Sequence, residues 1–72
     1  MKLTEFTRVM HDINVEITDF INKKTIYCGN INKVKFTLNT FKDNTFNKYD
    51  VVAVFRSYEE NCNMQIYVIE EK

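Results

Sequence analysis

Apolar and polar residues alternate along most of this chain with a period of two, and one short stretch near the start follows a helical period instead. Leu3, Phe6, Val9 and Met10 fall at helical spacing, so residues 3–10 are expected to form two turns of amphipathic helix. Thr4 is the expected N-cap, although Thr at position 7 leaves the capping box incomplete. Ile13, Val15 and Ile17 then alternate with Asn14, Glu16 and Thr18, the pattern of a half-buried strand. Asn22-Lys23-Lys24 reads as a polar turn, with Thr25 to Cys28 as the return strand of a hairpin. The only glycine sits in Gly29-Asn30, where a positive φ is expected.

The alternation resumes downstream. Val34, Phe36 and Leu38 point one way while Lys33, Lys35, Thr37 and Asn39 point the other, which predicts a third strand with a basic outer face. Residues 39–50 break the pattern and read as a long loop or one short helix. Val51 to Tyr58 and Met64 to Ile69 are rich in β-branched and aromatic residues and predict two further strands, joined by a polar hairpin loop at Glu59 to Asn63. The expected fold is α+β: a short N-terminal helix packed on a four- to five-stranded, mostly antiparallel sheet. Residues 1–72 are expected to form a single domain.

Composition limits what such a domain does. At 72 residues with ten aromatics there is enough apolar surface for one thin core. No apolar run approaches the ~20 residues of a membrane span, and the N-terminal segment lacks the apolar stretch of a secretory signal. The expected location is the cytoplasm of whatever cell makes the protein, with no membrane association. Cys28 and Cys62 form no paired motif and are expected to be free thiols. One histidine and two isolated cysteines offer no metal-ligand spacing and no nucleophile–base pair, so no catalytic residue, metal site or cofactor is assigned. A single glycine also rules out glycine-rich phosphate loops.

Charge changes the picture. The chain is neutral overall, yet residues 21–48 carry six lysines against one aspartate, while the flanking segments are both net acidic. A two-signed surface suits docking to a macromolecule. The candidate contacts are Lys33, Lys35, Phe41, Lys42, Phe46, Lys48 and Tyr49, where lysines and aromatics interleave. Two partner classes fit them. The first is a larger host protein or nucleoprotein complex, held by aromatic anchors with a lysine rim. The alternative is single-stranded nucleic acid, held by stacking and phosphate contact. Zero net charge and scarce arginine favour the first. Pairing of two copies along a sheet edge, giving a homodimer, is a third arrangement.

Asn, Lys and Ile supply a third of the residues, whereas Ala and Gly occur once each and Pro not at all, as an AT-rich genome would produce. In that light Met1-Lys2-Leu3-Thr4-Glu5-Phe6, Val15-Glu16-Ile17, Thr25-Ile26-Tyr27-Cys28-Gly29 and Gln65-Ile66-Tyr67-Val68 resemble small phage and prophage proteins of AT-rich Gram-positive bacteria. That group includes anti-CRISPR and other anti-defence inhibitors. The resemblance implies a non-enzymatic inhibitor of a host nuclease or defence complex that acts by occupying its surface. It transfers no functional residue. Charge reversal at Lys33 and Lys35, or Phe46→Ala, is expected to weaken partner capture while leaving the circular dichroism spectrum of the folded chain unchanged.

Overall fold

The computed structural model describes residues 1–32 and 48–71. Its elements are α1 (Leu3–Thr7), β1 (Asn14–Asp19), β2 (Lys24–Asn30), β3 (Tyr49–Arg56) and β4 (Met64–Glu70). The four strands form one sheet in the order β2-β1-β4-β3. The outer pairs β1–β2 and β3–β4 are antiparallel, and the central pair β1–β4 is parallel. The α+β class expected from the sequence is therefore present, with a sheet that is antiparallel except at its centre. The third strand expected at 33–39, and the loop through 47, lie outside the described residues.

The helix is shorter than the apolar spacing predicts. It ends at Thr7, whose hydroxyl donates back to the Thr4 carbonyl at 3.2 Å. Lys2 occupies the N-cap position in an extended conformation and supplies no side-chain cap. Thr4 thus lies inside the first turn and is not the cap. With only five residues, the helix depends on tertiary packing rather than on its own propensity. Leu3 and Thr7 are buried, whereas Val9 stands in solvent because the helix has ended before it.

In β1, Val15, Ile17 and Asp19 are buried and Asn14, Glu16 and Thr18 are half-buried. The predicted alternation is thus present. Ile17 faces Tyr27 on one side and Ile66 on the other. Leu3, Met10, Val15, Ile17, Ile31, Tyr49, Ile66 and Val68 form the buried core cluster, with Phe6, Ile13, Ile26, Tyr27, Val51 and Met64 packed at its edge. Full burial of each such aliphatic side chain contributes about 1.5–3 kcal/mol. The exposed ion pairs Lys48–Glu70 (3.4 Å) and Lys2–Glu71 (3.9 Å) each contribute at most about 1 kcal/mol. Apolar packing on one face of the sheet therefore dominates.

Gly29 does adopt a positive φ, +149°, but inside β2 opposite Val15 rather than in a turn. Tyr27, two residues back on the same face, folds its ring over it and donates its hydroxyl to the Asn30 carbonyl at 2.6 Å. A Cβ at position 29 would lie 3.1 Å from that hydroxyl oxygen. Gly29→Ala is expected to cost about 1–3 kcal/mol in unfolding free energy, through backbone strain and this contact. In a double-mutant cycle with Tyr27→Phe the two changes should be non-additive, because the hydroxyl is the nearest obstacle. Simple additivity would contradict this reading.

Candidate interaction surface

One face of the sheet carries the core; the other is open among the described residues. Alternation assigns Glu16 and Thr18 of β1, Cys28 of β2, Gln65, Tyr67 and Ile69 of β4, and Ala53 and Phe55 of β3 to the open side. Phe20, the residue after β1, joins them, its N–H donating to the Val68 carbonyl at 2.8 Å.

Three aromatic rings form a strip across this face. Tyr67 meets Phe20 edge-to-face at 5.9 Å between centroids and Phe55 at 5.7 Å. Such pairs contribute about 0.5–1.5 kcal/mol each beyond their buried area. Even so, Phe20 remains 57% and Phe55 56% exposed, while Tyr67 is half-buried between them. A shallow depression of about 280 Å³ runs beside the strip, lined by Thr18, Asp19, Phe20, Lys23 and Tyr67. Below it, the Gln65 amide donates to the Glu16 carbonyl (3.1 Å) and to the Thr18 hydroxyl (2.9 Å). That clamp crosses the central parallel pair.

Phe20 is aimed by its neighbour. The Asp19 carboxylate accepts the N–H groups of Ile21 (3.0 Å) and Asn22 (3.1 Å) and the side-chain amide of Asn22 (2.9 Å). This Asx-type arrangement closes the turn Phe20–Lys23, in which Lys23 takes a left-handed φ of +53°. The Asn22 amide and backbone N–H, with Ile21 N–H and the nearby Lys48 ammonium, hold the Asp19 pKa below its ordinary value against the opposing effect of desolvation.

Among the sequence-derived contacts, Lys33, Lys35, Phe41, Lys42 and Phe46 lie outside the described residues. Tyr49 is a core residue only 6% exposed, so its ring is packed inward and is not a surface anchor. Lys48 lies 5.4 Å from the Tyr49 ring centroid and pairs with Glu70, which neutralises it locally. Lys24 and Lys48 line a separate depression of about 510 Å³ together with Asp19 and Glu70. Lys23 instead lines the depression beside Phe20 and Tyr67. The lysines of the first turn are thus divided between two surfaces.

The residues that pattern reading missed are Phe20, Phe55 and Tyr67. Phe55 and Tyr67 sit in strand segments that are apolar on both faces, which reads as burial on both sides. A bulky aromatic inside a polar hairpin turn was the one available signal for Phe20. Cys28 and Cys62 are unbridged and line a depression of about 330 Å³ with Glu16, Glu59 and Glu60. No cluster of three or more His, Cys, Asp or Glu among the described residues is arranged to hold a metal ion. No helix among them is long and apolar enough to cross a membrane.

Comparison of the chain with protein-family models, with curated proteins and with solved structures gave no match.

Because the folded-state pKa of Asp19 is depressed, its carboxylate stabilises the fold fully above its ordinary value of 3.8. That contribution is lost as pH falls through the lower folded value. Urea midpoints measured from about pH 6 to pH 2 should fall steeply for the wild type at the acid end and less steeply for Asp19→Asn. Parallel acid limbs would show that the turn does not depend on this charge.

Proposed function

We propose that this chain is a non-enzymatic protein-binding module whose contact surface centres on the Phe20–Tyr67–Phe55 strip. The observation that carries this reading is the strip itself: three rings held edge-to-face on a sheet face, the outer two more than half exposed. Aromatic side chains with few rotatable bonds lose little entropy on binding and are enriched among interface hot spots. The strand register fixes Phe55 and Tyr67, and the Asp19 turn fixes Phe20, so little ordering remains to oppose association. Binding is steric, with a rigid face covering part of a larger protein. Resemblance to small phage proteins makes a host nuclease or defence complex in a bacterial cytoplasm the proposed class of target.

Single-stranded nucleic acid is the second reading, because exposed rings also stack on bases and Lys23 stands beside them. The rim of the same face weighs against it. Glu16, Glu59 and Glu60 cluster around Cys28, and carboxylates there repel a phosphate backbone.

Affinity capture from bacterial host lysate, identification of the partner by mass spectrometry and titration of that partner test the proposal. Phe20→Ala combined with Phe55→Ala should weaken the identified complex about tenfold or more without altering the far-ultraviolet spectrum. Undiminished affinity would remove the strip from the interface. Steeply salt-dependent binding of single-stranded DNA or RNA would instead support the second reading.

A further inference from the structure

Among the described residues β3 is an edge strand, and its outer edge is only partly covered by them. Met1 and Lys2 pair with its beginning: the Val51 N–H donates to the Met1 carbonyl at 2.8 Å, and Lys2 bridges Asp50. Past Val51 no described residue pairs with this edge. The direction of its peptide groups follows from the register. Ser57 N–H donates to the Asn63 carbonyl, and bonded pairs alternate along an antiparallel ladder. The Phe55–Gln65 pair therefore faces β4, whereas the N–H and C=O groups of Val54 and Arg56 point outward.

Edge strands are ordinarily blunted by lysine, proline or inward-pointing charge. Between Val51 and Phe55 there is none; the one irregularity is the bulge at Val52. Instead Val52, Val54 and Phe55 are exposed there, and Tyr58 just beyond is 91% exposed. The other edge, β2, differs: it opens on Lys24 and carries both a bulge and the Gly29 distortion.

We propose that two copies of this chain pair antiparallel through the outer edges of β3, with Phe55 opposite Phe55 of the second copy on the two-fold axis. The occupant follows from self-complementarity. In this register Val54 meets Arg56 of the other copy while Arg56 meets its Val54, so the outward N–H and C=O groups of these two residues are satisfied on both strands by four hydrogen bonds. Phe55 then forms the closely spaced, non-bonded pair. Val52 falls opposite Tyr58, so each exposed apolar side chain of one edge finds an apolar neighbour on the other. Arg56 lies with its guanidinium 6.0 Å from its own Tyr58 ring centroid, which leaves its methylene stem to cover Val54. Met1 and Lys2 fill the edge up to Val51, and the second copy takes over from Val52. The result is an eight-stranded sheet on which the two aromatic strips join at Phe55 into one of six rings.

The contact is small, so the dimer is a weak one that forms on the order of 10–1000 µM chain. Sedimentation equilibrium over that range should show the mass rising from 8.7 kDa towards twice that value. Val54→Pro removes an N–H that the protomer itself does not use and should weaken dimerisation at least tenfold with the fold intact. Should that variant not fold, Phe55→Cys in a Cys28→Ser background supplies an independent readout. Mild oxidation should cross-link it readily, whereas Ala53→Cys, four registers from its own symmetry mate, should stay monomeric. A mass of 8.7 kDa throughout, a dimer indifferent to Val54→Pro, or cross-linking at position 53 in preference to 55 would each overturn the proposal. Because Phe55 belongs to both surfaces, the single variant Phe20→Ala, away from the β3 edge, separates the two readings: it should weaken partner binding and leave the self-association unchanged.

Discussion

The parallel pairing of β1 with β4 is the contact on which the rest of this structure depends. It sets Val15, Ile17 and Asp19 in line with Met64, Ile66 and Val68, joining two antiparallel hairpins that are distant in sequence. Neither hairpin alone buries enough apolar surface to be stable in water. Together they bury Val15, Ile17, Ile66 and Val68 completely on one face, beneath Leu3 and Ile31. The same pairing places β2 and β3 at opposite edges.

The strands were largely legible in the sequence. Strict alternation from Ile13 to Thr18 has one structural solution, and the polar residues between Ser57 and Met64 leave little choice but a hairpin. Their arrangement was less so. A parallel pair arises from contacts between residues some 49 apart, and local periodicity carries no record of which strands become neighbours. Helix length shows a related limit: the spacing of Val9 and Met10 suits a second turn, but the Arg8 and Met10 N–H groups bond the carbonyls three residues back, at Glu5 and Thr7, and the helix closes at Thr7. Tyr49 shows the same limit from another side. Beside lysines it reads as a surface anchor, yet strand β3 begins there and turns its ring into the core.

The candidate surface emerges from the same geometry. Once one face is committed to the core, Phe55 and Tyr67 fall on the other, and the Asp19-centred turn adds Phe20 beside them. The strip is thus built from two strands and a turn, and only the folded order β1-β4-β3 brings its three rings together. Its charge environment is mixed, with Lys23 on one flank and Glu16, Glu59 and Glu60 on the other. Such a rim favours a protein partner of mixed charge over a uniform polyanion. Dimerisation through β3 would lengthen this surface without covering it, since sheet extension leaves both faces as they were.

The backbone proton contacts between β1 and β4, measured by nuclear Overhauser effects on the isotopically labelled chain, address the central pairing most directly. Cross-strand contacts should link residues near Val15 to Met64, Ile17 to Ile66 and Asp19 to Val68, ascending together along both strands. Contacts that descend along β4 as β1 ascends, or none between these strands, would contradict the parallel centre, the assignment of faces and the aromatic strip that follows from it.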